Sequence, residues 1–239
     1  MDVLVFAYMS KNEILAGPQS RARPSATFTE AARRRQIVQA TITTIAEVGY
    51  RRASYAQIAK RAGLSSTGLI SYHFASKAEL LDQVIAEVVA AGQGFMLPRI
   101  EAAAPGRDRL RAYITSNLEF MAAHPAHMRA AAEILNALPR EPGGQAAPYA
   151  PRHARGLAQL EGYLREGQRN GQLRPFSVAV MALAIRAAID AVAYQLADEP
   201  DLDLAACGRE LATMFDHATT AMPPGGARQA DVQARSRKV

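Results

Sequence analysis

Hydroxyls, a phenol, an imidazole and several cations are concentrated in one short stretch of this 239-residue chain. From Ser54 to Phe74 it reads SYAQIAKRAGLSSTGLISYHF. Ser65, Ser66, Thr67, Ser71, Tyr72 and His73 are short or hydrogen-bonding groups able to reach phosphate oxygens or base edges, and Arg51, Arg52, Lys60, Arg61 and Lys77 flank them. To act together they need a rigid support. Ala59 is small enough for two helices to cross closely, and Gly63, four positions on, tolerates the positive φ of a tight turn. Ile58, Ala62, Leu64, Leu69 and Ile70 supply an inner apolar face, with Phe74 in the core. The pattern is that of a helix-turn-helix, whose second helix presents its start and outer side to a duplex.

The charge is distributed accordingly. Residues 21–77 carry ten Arg and Lys against only Glu30 and Glu47, whereas residues 78–221 carry thirteen against seventeen acidic groups. A basic patch confined to one small unit is the footprint of a polyanion-binding module. The net charge of +6 and the pI near 9.7 say less, because Arg outnumbers Lys 24 to 4 in an Ala-rich chain, a bias that genome composition also produces.

At these residues the resemblance becomes specific. GLSSTGLISYHFASKAELL, from Gly63 to Leu81, is similar to the signature of TetR-family transcriptional regulators, with Tyr72, Phe74 and Lys77 matching the family's Tyr-x-Phe-x-x-Lys element. Where the family often has an aromatic before the Tyr, this sequence has Ser71. The sharp similarity runs from about 30 to 82; beyond it only the architecture is alike. The resemblance implies phosphate contacts at Ser54, Ser65 and Lys77, major-groove contacts at Ser66, Thr67 and Ser71, and backbone or sugar contacts at Tyr72 and His73. It also implies a double-stranded, palindromic DNA operator, a homodimer and an unspecified small-molecule effector, with no cofactor.

The remaining chain predicts an all-α protein of about nine helices, since apolar spacings of three and four recur and no alternating β-branched run occurs. Thr27 with Glu30, Ser54 with Gln57 and Ser76 with Glu79 each form a candidate capping box, which puts three helix starts within fifty residues. Later helices are expected at about 76–97 (ending before Pro98), 107–123, 126–137, 149–169, 176–197 and 203–221. The domain reading is a disordered extension at 1–26, a helix-turn-helix DNA-binding domain at 27–75, a helical effector-binding and dimerisation domain at 76–221 and a disordered basic tail at 222–239. Met1–Met9 reads poorly as a secretory signal, and Met9 competes with Met1 as the start.

The 176–197 segment is apolar on every face, so it should be buried on every face. It is long enough to span a bilayer, but Arg186 and Asp190 near its middle would each cost roughly 2.5 to 3.5 kcal/mol there. Burial in protein without a membrane is the reading adopted. The i,i+4 pair suits a ligand or a dimer seam equally. With the 203–221 helix, whose stripe is Leu204, Cys207, Leu211, Met214 or Phe215, and Ala218, this segment resembles half of a four-helix interface between two chains.

Phe95, Met96, Asn117, Phe120, Met121, His124, Met128 and Tyr163 make a loose candidate set for an adaptable, mostly apolar pocket. Metal binding is set aside: Pro125 breaks the helix between His124 and His127, and Cys207 is the sole cysteine. The lone thiol also removes an internal disulfide and points to the cytoplasm. Phosphate-loop, nucleophile-elbow and zinc-protease motifs are absent, so catalysis is not expected. The competing reading is a helical interaction module that uses its basic face on RNA or on acidic proteins, without a small-molecule effector.

Overall fold

The computed structural model describes residues 28–138 and 150–220, and within them every regular element is a helix. The expectations for 1–26, for the Thr27 cap, for the loop after Leu138 and for the tail from 222 lie outside these residues. The elements are α1 (Phe28–Val48), α2 (Tyr55–Arg61), α3 (Gly68–His73), α4 (Lys77–Ala102), α5 (Arg107–Ala123), α6 (Pro125–Ala137), α7 (Ala150–Arg169), α8 (Val178–Asp198) and α9 (Leu204–Thr219).

The N-terminal three pack around Ile37, Ile42, Ile45, Ile58, Ala59, Ile70 and Phe74, all of them buried. Their boundaries follow local chemistry. Ser54 caps α2 by accepting from the Gln57 amide, while the Gln57 side chain accepts from the Ser54 amide, a complete capping box. Gly63 takes φ +59°, the left-handed conformation the turn requires, and Ala59 is buried at the crossing. Ser76 caps α4 by accepting from the Glu79 amide.

α4 runs on through Pro98 to Ala102, five residues past the expected stop. Interior proline costs a helix roughly 3 kcal/mol. Met96 and Ile100 on either side of it are fully buried, and burying two such side chains returns about as much. α5 occupies the expected interval, entering at Gly106 and leaving at His124-Pro125, where proline becomes the first residue of α6 instead of a barrier. α9 lies along α5, α7 along α8, and α6 against α1, so the body touches the N-terminal helices directly as well as through α4.

Two helices correct the expected burial. α8 buries Ala182, Ile185, Arg186, Ile189 and Ala193, but leaves Val180 65% and Leu183 56% exposed, so one chain covers only part of its circumference. On α9 the buried stripe is Leu204, Gly208, Ala212, Phe215 and Thr219, one step out of phase with the expected one, because Gly208 lets α9 approach Leu118 and Thr115 of α5. Met214 is 51% exposed, on the side away from that contact.

Candidate nucleic-acid interface

The helical phase of α3 determines which of its side chains can meet a partner. Ile70, His73 and Phe74, at spacings of three and four, face inward. Ser71 and Tyr72 therefore face outward, and Tyr72 is 69% exposed. Ser65, Ser66 and Thr67 are exposed in the preceding turn; Thr67 begins α3 without using its hydroxyl as a cap. Lys77 is exposed at the start of α4, with its ammonium 4.5 Å from the centre of the Tyr50 ring. The expected set is thus brought to one end of the molecule, with two qualifications. The exposed Ser54 hydroxyl is already committed to Gln57, donating to its Oε1 at 3.0 Å and accepting from its amide. His73 is buried, 7% exposed, which removes it from the surface where a backbone or sugar contact would be made.

Inside, the His73 imidazole is held below its ordinary pKa, first by burial and then by the Arg34 and Arg33 charges, against an opposing pull from Glu30. Its Nδ1 has no hydrogen-bond partner. Leu69 moves the other way. Expected in the core, it is 37% exposed on the same side as Tyr72. The inward and outward residues at the ends of α3 are each displaced from expectation by one helical step.

Arg34 fixes how this helix is presented. Its guanidinium donates to the His73 carbonyl, lies 4.2 Å from the centre of the Phe74 ring, and pairs with Glu79 Oε1 at 3.0 Å. Glu79 Oε2 in turn accepts from the Ala75 amide at 2.7 Å. One arginine of α1 thereby joins the end of α3 to the start of α4. Gln36 adds a bond from α1 to the Ala62 carbonyl at 2.9 Å. Neither was singled out as a site residue, because the pairing spans more than twenty residues of chain and has no local spacing signal.

The candidate pocket residues occupy different surroundings. Phe120 and His124 stack at 4.5 Å, and Phe95 meets both edge-on at 5.8 Å, so these rings fill space with one another. Met96 is buried in α4. Asn117 belongs to a polar cluster around Arg186, accepting from it at 3.1 Å and donating to the Tyr113 carbonyl at 2.7 Å. Arg186 also donates to Asp190 at 2.8 and 3.1 Å and to the Tyr113 hydroxyl at 3.4 Å. Burial raises the Asp190 pKa while Arg186 opposes that rise. Tyr163 accepts from Gln159 on its own helix. Met121 and Met128 border an open hollow, a groove of about 600 Å³ among α5, α6, α8 and the α8–α9 connection. Pro125, Leu196, Pro200 and Leu204 complete its apolar wall, with Arg129, Glu133 and Asn136 on its rim.

Residues 37–84 match the model of "Bacterial regulatory proteins, tetR family", a segment that includes the turn, α3 and the start of α4. Over that segment the chain is similar to the tetR family. Among curated relatives, the HTH-type transcriptional regulator BetI of Escherichia coli is 38% identical over 100 residues, 41% of this chain and 51% of that protein. The chain spans about half the length of the curated relatives it matches. Among solved structures, FadR from Bacillus subtilis, in complex with stearoyl-CoA, has a TM-score of 0.63 and 24% identity, covering 75% of this chain and 96% of that one. KstR2, a ketosteroid transcriptional regulator of Mycobacterium tuberculosis, has a TM-score of 0.62 and 20% identity over 80% and 96% of the two chains. These structural likenesses establish the fold through the C-terminal helices, where the family model does not reach.

Proposed function

We propose that this chain is a tetR-family regulator, a ligand-responsive, sequence-specific DNA-binding protein of the bacterial cytosol that acts as a repressor on a palindromic operator. Residues 27–75 are its DNA-binding domain and 76–221 its effector-binding and dimerisation domain. The observation that carries the reading is the outward presentation of Ser71 and Tyr72 on a helix whose other face is locked to α1 by Arg34. Ser65, Ser66, Thr67 and Ser71 are suited to phosphates and base edges, Tyr72 to the sugar-phosphate backbone, and Lys77 to a phosphate. Ser54 orders α2 and contributes to contact only if Gln57 releases its hydroxyl.

Dimerisation through α8 and α9 is supported by the uncovered apolar side chains Val180, Leu183 and Met214. Two copies would read half-sites related by the dimer's own two-fold axis. The groove bordered by Met121 and Met128 is the effector site we favour. Its wall suits a molecule with an apolar body, and the same fold accommodates stearoyl-CoA in the FadR structure.

Selecting duplexes from a random library with the purified full chain, then titrating salt against the selected and a scrambled duplex, tests the reading. A selected palindrome bound at least a thousandfold more tightly than the scrambled duplex is expected. Equal affinities for both would identify a polyanion binder without sequence readout and end the proposal.

A further inference from the structure

The groove and a hollow beside the DNA-binding helices share two side chains of α6, Glu133 and Asn136, and Glu133 bonds to the turn after α1. Glu133 of α6 stands on the groove's rim, and it also borders a second hollow of about 370 Å³ between α6 and the turn after α1. There its Oε2 accepts from the Tyr50 backbone amide at 2.9 Å, across 83 residues of chain. The fit is close. Gly49 precedes that amide with φ +80°, and a Cβ added at Gly49 would come within 3.2 Å of the same carboxylate oxygen. On the far side of the turn, the Tyr50 ring carries the Lys77 ammonium, and Arg51 and Arg52 follow directly. Ser54, the cap of α2, lies four residues beyond Tyr50.

We propose that Glu133 is the residue that carries occupancy of the α6 groove to the DNA-binding helices. A ligand that displaces α6 on its groove side must also move the Glu133 carboxylate, because both hollows border the same turn of one rigid helix. The carboxylate holds the Gly49–Tyr50 turn through a single hydrogen bond with little slack. Shifting or losing it moves the base of Tyr50 and with it Lys77, Arg51 and Arg52, the cations set around α3. The inference rests on the effector reading above and adds to it a positioning residue and the path of its action.

A built-in side chain replaces the effector in the test. Ala132→Trp, and separately Pro200→Trp, fill the groove from α6 and from the α8–α9 connection in the full-length protein. Each filler is placed in the wild-type, Glu133→Ala and Glu133→Gln backgrounds. DNA affinity is measured on the selected duplex, and hydrogen exchange on the peptide containing Tyr50. In the wild-type background the fillers weaken DNA binding about tenfold, within the usual range of coupling between sites, and speed exchange at Tyr50. In the Glu133→Ala background the filler changes affinity less than twofold. Glu133→Gln, whose amide oxygen still accepts from the Tyr50 N–H, restores part of the response. Equal filler effects with and without Glu133 would overturn the proposal. So would unaltered affinity and exchange with both fillers, provided melting shows the variants folded. Faster Tyr50 exchange in a protein that reads no DNA sequence would uphold the coupling while refuting the regulator reading, so the two failures are separable.

Discussion

Tyr72 and Phe74 stand two residues apart and should fail in opposite ways. Tyr72 is 69% exposed and its ring meets the protein at His73, edge-on at 5.1 Å. Truncation to alanine forfeits little more than that contact, at most about 1 kcal/mol, which lowers the melting temperature by about 2–4 °C in a protein of this size. In the proposed DNA complex its role is larger. A hydrogen bond to a charged phosphate oxygen contributes about 1.5 kcal/mol or more. The proposed dimer on a palindrome would make it twice, so about 3 kcal/mol would be lost, a weakening of more than a hundredfold. Phe74 is 1% exposed and carries the Arg34 guanidinium on its face. Phe74→Ala should cost about 3–5 kcal/mol of stability and lower the melting temperature by about 10 °C, with DNA binding lost through unfolding. Fluorescence anisotropy on the selected duplex and calorimetric melting, run on the same preparations, separate the two. Tyr72→Ala with wild-type affinity would refute the outward-contact argument. So would a Tyr72→Ala melting shift equal to that of Phe74→Ala, because the phenol would then be part of the core.

Three further outcomes follow from the geometry. Asp190→Ala leaves the buried Arg186 without its carboxylate, 2.8 Å away, and should cost about 3–5 kcal/mol, whereas replacing both by apolar residues of similar volume recovers most of the loss in a chemical denaturation series. Val180→Glu with Leu183→Glu puts charge on the open face of α8 and should halve the mass seen by light scattering, leaving the helical circular dichroism in place. His73 binds its proton less readily folded than unfolded, so the unfolded chain takes up more protons as the pH drops; stability present above about 6.5, the ordinary imidazole value, is lost progressively below it. His127 has the same direction of shift, also through burial, so the check is the difference between wild type and His73→Leu across pH 5–7.5, where the substitution should remove part of the acid loss.

Helices announced by capping and breaking residues were legible in the sequence. α5 sits between Gly106 and Pro125, and α2 begins at Ser54 with its reciprocal Gln57, because these signals are local. Pro98 misled since its cost is local but its compensation, the burial of Met96 and Ile100, is tertiary. The exchange of His73 and Leu69 arose from phase. A six-residue helix has fewer than two turns, so composition leaves its inward stripe open by one step, and the packing of Ile70 and Phe74 decides it. The pocket set meets a different obstacle. Methionine and aromatic content indicates adaptable packing, yet nothing along the chain says whether Phe95, Phe120 and His124 face a hollow or one another. Glu133 carries no sequence signal at all, because its partner is a backbone amide 83 residues away.

The uneven charge acquires a geometric meaning once the helices are placed. The basic residues 51, 52, 60 and 77 lie around α2, α3 and the start of α4, while acidic groups outnumber basic ones from 78 to 221. A polyanion is therefore drawn to one end of each chain and disfavoured along the body, which orients the encounter before any base is read. Not every cation contributes equally. Arg61 is turned back onto Glu47 of α1 and Arg34 onto Glu79, so both are spent on holding the head together. Arg51, Arg52, Lys60 and Lys77 remain to exchange counterions with the proposed duplex, and all but Lys60 are assembled around Tyr50. The electrostatic footing on the duplex and the turn held by Glu133 are thus one structural unit, so a signal arriving at that turn changes affinity through the charges that dominate it, without moving the recognition helix relative to α1.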